Sequence, residues 1–186
     1  MECRTARLLL RDFREDDWPA VLAYQSNPLY LRYYAWTERM PESVQAFVRG
    51  FVTHQSQQPR TRFQLAIVLP ETGQLIGNCG IRQESPESEE AEIGYELDPE
   101  YWGRGYATEA AREMLAFGFT ELGLHRVSSW CVADNTASEH VLEKLGLRLE
   151  GRVREKKYYK GRWWDVLLYG IVKQEWDAIR QNGGLA

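Results

Sequence analysis

Apolar residues recur along this chain with two different periods. Val44, Phe47, Val48, Phe51 and Val52 fall at i, i+3, i+4, i+7 and i+8, one face of a helix opened by Pro41–Glu42. Ala110, Ala111, Met114, Leu115, Gly118 and Leu122 make a second stripe, in a helix that starts at Ala107 and stops at Gly123. Over 91–97 the period is two, with Ile93, Tyr95 and Leu97 on one face and Glu92, Gly94 and Glu96 on the other. Shorter apolar runs predict strands over 8–13, 64–69, 75–82 and 126–132, the second and third joined by a turn at 70–74. Asp16 or Asp17 is placed to cap a first helix with Pro19 in its first turn, and Ser138 to Leu145 reads as a short helix ended by Gly146. The segments 147–159 and 163–172 form a closing hairpin turning at Lys160–Gly161, with a terminal helix over 172–180. The order βααβββαβαββ predicts an α/β fold, a mixed sheet of about seven strands with flanking helices. Strands 91–97 and 126–132, separated by a helix, must run parallel.

At 186 residues, with neither repeat nor linker, the chain is expected to form a single domain. A hydrophobic fraction of 44 % with 27 % charged residues excludes a disordered chain. A net charge of −4 gives no reason to expect a nucleic-acid partner. Cys3, Cys79 and Cys131 are far apart and odd in number, and His54, His125 and His140 are scattered, so neither disulfides nor a metal site is expected. The start of the chain lacks the apolar segment of a signal peptide, and the longest apolar run, 166–172, is too short to span a bilayer, so a soluble, cytoplasmic protein is expected.

The chemistry concentrates in Asp98-Pro-Glu-Tyr-Trp-Gly-Arg-Gly-Tyr-Ala-Thr-Glu109, between a strand and a helix N-terminus. Free backbone N–H groups and the helix dipole favour an anion there, and two glycines let the backbone approach it. The plain alternative is a tight strand-to-helix turn. The Lys and Ser/Thr of a P-loop are missing. Gly103 and Gly105 fit the start of a dinucleotide motif, but Thr108 stands at its third position and there is no second βαβαβ half.

The same loop resembles the acyl-CoA pyrophosphate loop of the GNAT superfamily of N-acyltransferases, [QR]-x-x-G-x-[GA], with Gly105-Tyr106-Ala107 matching its second half and Trp102 standing where Gln or Arg is commonest. The wording from Tyr101 to Ala110 is similar to the branch that holds the ribosomal-protein N-terminal acetyltransferases. Asp134-Asn135-Thr136-Ala137-Ser138, Leu142-Glu143-Lys144-Leu145-Gly146-Leu147 and Glu150-Gly151 resemble that branch's N-x-x-S…EKxGF…EG segment. The resemblance spans about 4–176.

It implies that the pantetheine arm of acetyl-CoA enters between strands 91–97 and 126–132. Backbone near Leu97 would pair with its amides, and Asn135 would bond it from the other side. The N–H groups of Gly103, Arg104, Gly105, Tyr106 and Ala107 would hold the pyrophosphate, Thr108 adding a hydroxyl, with no metal. The implied reaction is direct attack of a neutral amine on the thioester. Glu92 is the first candidate base, against a plain exposed carboxylate. Glu155 is its rival, against a pairing with Arg152, Arg154 or Lys157. The tyrosine that many members place before the Glu-Lys pair is Leu142 here, which leaves Ser138 as candidate acid, against a helix-start hydroxyl. Tyr33, Tyr34 and Trp36 either wall the acceptor or pack the domain.

The expected acceptor is the N-terminal amine of a protein. The alternatives are a small amine (polyamine, amino acid or antibiotic), or binding of acyl-CoA without catalysis, which the absent tyrosine suggests. The basic residues of the last hairpin read as a solvated face, and the hairpin's exposed edge leaves a homodimer open.

Overall fold

A computed structural model describes residues 1–181. One eight-stranded sheet runs β1-β2-β3-β4-β5-β6-β8-β7. Its strands are β1 (Glu2–Arg4), β2 (Leu9–Asp12), β3 (Arg62–Val68), β4 (Leu75–Gln83), β5 (Glu90–Leu97), β6 (Arg126–Val132), β7 (Arg148–Tyr159) and β8 (Arg162–Val172). The additional strand is β1, three residues paired antiparallel with β2 and too short and polar to show a period. The helices are α1 (Trp18–Gln25), α2 (Pro28–Leu31), α3 (Pro41–Gln55), α4 (Tyr106–Thr120), α5 (Thr136–Lys144) and α6 (Lys173–Gln181). α2 lies in the aromatic segment before α3. Asp17 does not cap α1 with its side chain: the Arg11 guanidinium holds both its oxygens, at 2.8 and 2.7 Å, and Arg14 N–H donates to one of them.

Two cores sandwich the sheet. On one face α4 buries Ala110, Ala111, Met114 and Leu115 completely against Ile81, Ile93 and Val127. Burial of Met114 and Leu115 contributes about 2 kcal/mol each. On the other face Val21 of α1 and Val44 and Val48 of α3 pack on Ala66 and Val68. This second layer lies over the β2–β4 half of the sheet. Trp130 of β6 and Leu168 of β8, a cross-strand pair beyond it, remain 41 % and 40 % exposed.

β5 and β6 are parallel, as the crossover requires, but their ladder lasts three residues, Glu90–Glu92 against Arg126–Ser128. β5 stays paired with β4 up to Leu97, and β6 with β8 up to Val132. The ends of β5 and β6 therefore part, which opens a gap in mid-sheet.

Candidate active site

Two cavities meet at that gap, whose root is tied by Ser129 Oγ donating to the Ile93 carbonyl at 2.9 Å. The first, of about 320 Å³, runs from Tyr95 and Leu97 along 103–108 to His140 and Lys144. Gly105 sits at φ +81 as the residue before α4, and Gly103 at φ +74, conformations that strain any side chain. The first bond of the helix is Glu109 N–H to the Gly105 carbonyl, so the N–H groups of Tyr106, Ala107 and Thr108 have no partner inside α4. A backbone cradle at the positive end of a helix fits a pyrophosphate, and Lys144 and His140 add donors at the rim. Arg104 is turned elsewhere: its guanidinium lies 5.2 Å over Tyr101, and its carbonyl accepts from Arg7 Nη1. Trp102, standing where the motif usually has Gln or Arg, donates its indole N–H to the Leu97 carbonyl at 2.8 Å. That carbonyl keeps one lone pair for an arm amide.

A clamp from the other end of the chain fixes the start of α4. Glu109 accepts from Thr5 Oγ1 at 2.6 Å, Arg7 N–H at 2.9 Å and Arg7 Nε at 2.7 Å. Burial raises its pKa, but these donors outweigh burial and hold it below the usual glutamate range.

The second cavity, of about 470 Å³, opens on the α1/α3 face. Trp36 and Phe47 form one wall, and Tyr34 stacks on Trp36 with ring centroids 5.0 Å apart. The hairpin tip holds this wall in place: Tyr159 OH donates to the Tyr33 carbonyl at 2.8 Å and Lys160 Nζ to the Leu31 carbonyl at 2.7 Å. Other hairpin cations also have local partners. Arg152 pairs with Asp165, Arg162 with Asp134, and Lys157 lies 3.5 Å over Trp130.

Six residues line both cavities: Tyr33, Tyr34, Tyr95, Glu96, Asn135 and Ser138. They come from three segments, 33–34, 95–96 and 135–138, and mark the passage between the two spaces. Asn135 Oδ1 caps α5 by accepting from Ser138 N–H at 3.2 Å, leaving its NH₂ free of that role. Ser138 Oγ lies 3.0 Å from Tyr95 OH, which also donates to the Ser138 carbonyl. Burial pushes the Tyr95 phenol above its ordinary range, so it stays protonated. Leu142 is fully buried in the core.

The candidate carboxylates separate. Glu92 lines only the second cavity and pairs with Arg82 at 2.8 Å. Glu155 borders neither cavity. It occupies the β7 irregularity at φ +50, exposed, with its N–H donating to Asp165. Glu96, on the same face of β5 as Glu92, is at the passage. The strand period already placed both glutamates on one face; which of them reaches the gap depends on where the β5–β6 ladder ends. Tyr95 has the same history, since alternation marked it as core.

Among the described residues no His, Cys, Asp and Glu cluster could hold a metal ion, and no helix is long and apolar enough to cross a membrane.

Residues 7–148 match the family model of the acetyltransferase (GNAT) domain. YnaD of Bacillus subtilis (strain 168), an uncharacterized N-acetyltransferase, is 33% identical over 179 residues, covering 95% of this chain and all of that protein. The spermidine N(1)-acetyltransferase of Escherichia coli (strain K12) is 25% identical over 175 residues, 94% of this chain and 91% of its own. The fold is also that of RimL, a ribosomal L7/L12 alpha-N-protein acetyltransferase solved in complex with coenzyme A, at TM-score 0.81 and 22% identity, over 92% of this chain and 98% of the other.

Proposed function

The chain belongs to the GNAT family of acetyltransferases, and from that premise we propose that it transfers acetyl from acetyl-CoA to the N-terminal amine of a protein. The observation that carries the reading is the passage between the two cavities, where one space suits a pyrophosphate with its arm and the other an amine. The thioester reaches the gap along β5, and the amine comes to it from the aromatic side. Ser138, with Tyr95 beside it, is our choice for the hydroxyl that supplies a proton to the departing sulfur. A protonated phenol from β5 thus stands beside Ser138 although position 142 holds a leucine, which supports catalysis over mere binding of acyl-CoA.

Charge supports a peptide acceptor over a polyamine. The ionised side chains lining the acceptor cavity are Glu92, Glu96, Arg82 and Lys157, so carboxylates and cations are equal in number there. A polyamine brings a second ammonium that would meet Arg82 or Lys157. A peptide has one amine at its start and a neutral backbone behind it, and the exposed Trp130 beside the cavity offers an apolar exit path. The likeness to a spermidine acetyltransferase keeps the small-amine reading as the rival.

The test is thiol release from acetyl-CoA with Ala- and Ser-starting peptides, spermidine and an aminoglycoside, with mass spectrometry of the products. Turnover on the peptides supports the reading. Turnover on the small amines alone replaces it with the rival, and CoA binding without turnover on any of them supports the non-catalytic one.

A further inference from the structure

A chain of side-chain hydrogen bonds crosses the floor of the acceptor cavity. Arg82 Nη2 bonds Glu92 at 2.8 Å, and its Nη1 donates to Gln64 Oε1 at 3.3 Å. Gln64 Nε2 donates to Asn78 Oδ1 at 2.6 Å, and Asn78 Nδ2 to Glu96 Oε2 at 2.9 Å. From the far side Gln25 Nε2 reaches the same Oε2 at 3.0 Å, with Arg39 Nε on Gln25 Oε1 at 2.8 Å. Tyr24 OH completes the set at 3.2 Å. Each amide in the chain therefore uses both its ends.

The two glutamates on this floor differ in kind. Glu92 is tied to a guanidinium, which neutralises it. Glu96 enters no ion pair among the described residues. The three donors to Oε2, from Tyr24, Gln25 and Asn78, are neutral, as is the Tyr34 hydroxyl that also faces the carboxylate, so they orient it without cancelling its charge. Oε1 receives none of the three. Glu96 is also the carboxylate that borders the cofactor cavity as well as the acceptor cavity. The titratable groups packed around it are the hydroxyls of Tyr24 from α1, Tyr30 from α2 and Tyr34 from the loop before α3. All are raised first by burial and next by the Glu96 charge. Arg39 and Arg82 stand one and two amides away.

We propose that Glu96 is the catalytic carboxylate that docks the acceptor's ammonium at the passage and takes its proton, and that neither Glu92 nor Glu155 does so. The acceptor enters as R–NH₃⁺ and passes one proton to Glu96 Oε1. The freed lone pair forms the N–C bond to the thioester carbon, and the C–S bond breaks with its electron pair on sulfur. The nitrogen then loses a second proton, which balances the thiolate through the Ser138–Tyr95 hydroxyls, and Glu96 releases its own proton to solvent. One proton is liberated per turnover.

This rests on the reading of the site as an amine acetyltransferase, so wild type is assayed first on the same amine panel. Whichever amine it uses then serves for Glu96→Gln, Glu96→Asp and Glu92→Gln. Glu96→Gln is expected to bind CoA with unchanged Kd by calorimetry and to lose kcat about 100-fold. The acidic limb of its kcat/KM profile should give way to a steady rise with pH toward the amine's own pKa, a change that a merely structural role would not produce. Glu92→Gln is expected to lose less than about tenfold. Glu96→Asp, which keeps the charge one methylene further back, should retain an acidic limb with lowered kcat. It decides the question if the glutamine variant fails to bind CoA. Wild-type kcat in Glu96→Gln, or in Glu96→Asp where that variant decides, overturns the proposal, as does a larger loss in Glu92→Gln than in Glu96→Gln. Wild-type turnover on spermidine alone overturns the peptide reading and leaves Glu96 tested on spermidine. No wild-type turnover on any amine overturns both.

Discussion

The cavity that we propose for the cofactor and the one that we propose for the acceptor meet at one gap but are built differently. The end of the groove that we propose for the pyrophosphate is drawn from one short run, 103–108, at a helix start. The acceptor cavity is mostly side chains from β3, β4, β5, β6, α3 and the 33–36 loop, brought together by the sheet order. A site made of backbone is local, and its requirement for glycine is written in a few adjacent letters. A site made of side chains depends on pairing partners 14 to 101 residues apart, such as Gln64 with Asn78 and Tyr33 with Asp134.

The contrast can be broken most sharply at two glycines. At Gly105 a β-branched residue must adopt φ +81, a strain of about 2 kcal/mol, or roughly a thirtyfold rise in CoA Kd. Gly105→Val should therefore weaken CoA in calorimetry while leaving Arg82 and Glu92 undisturbed. If acceptor KM moves instead, the division of labour is wrong.

Gly94 is the matching position on the other side. A Cβ there would stand 2.7 Å from Arg82 Nη2, the far end of a flexible side chain. Gly94→Ala should displace the guanidinium from Glu92 and raise acceptor KM several-fold, about 1 kcal/mol, with CoA Kd unchanged. Trp36→Ala removes one plate of the acceptor wall, which Arg39 covers at 4.1 Å. A two- to fourfold rise in acceptor KM is expected, roughly 0.5–1 kcal/mol of aromatic and cation–π contact.

The smallest effect belongs to the Glu109 clamp and is one of pH. Its folded pKa is depressed, so its contribution to stability is present above the ordinary glutamate range and is lost as pH falls through the folded value. Glu109→Gln should lower Tm at neutral pH by the equivalent of about 1 kcal/mol, discounted because Arg7 is half-exposed. The gap between variant and wild type should close in acid. A constant gap would show that the clamp works by shape and not by charge.

Legibility in the sequence follows the same division. Strand 126–132 is legible to the residue, and α4 begins one residue earlier than its stripe suggests. β1 was invisible because three residues carry no period, and α2 because Pro28–Leu31 is hidden among aromatics whose burial is not periodic. The turn that we propose for the pyrophosphate is visible in Gly103 and Gly105. Tyr33, Tyr34 and Trp36 were visible as an aromatic cluster, but not their contact with the hairpin tip. Glu96 and Tyr95 were in plain view on a correctly placed strand. Their place at the passage depends on the point where the β5–β6 ladder ends, which no local pattern encodes.

The position of β8 between β6 and β7 has a consequence for biosynthesis. A nascent chain that has emerged as far as residue 150 holds every residue of the cofactor loop. Yet β6 lacks its neighbour on that side, and the 33–36 loop lacks the hairpin tip that fastens it. The β7–β8 hairpin is therefore a keystone, its tip fastening the 33–36 loop and β8 completing the pairing of β6. Until the hairpin docks, the aromatic wall of the second cavity is without its fastening, so an unfinished chain on the ribosome is expected to lack that cavity in its final form.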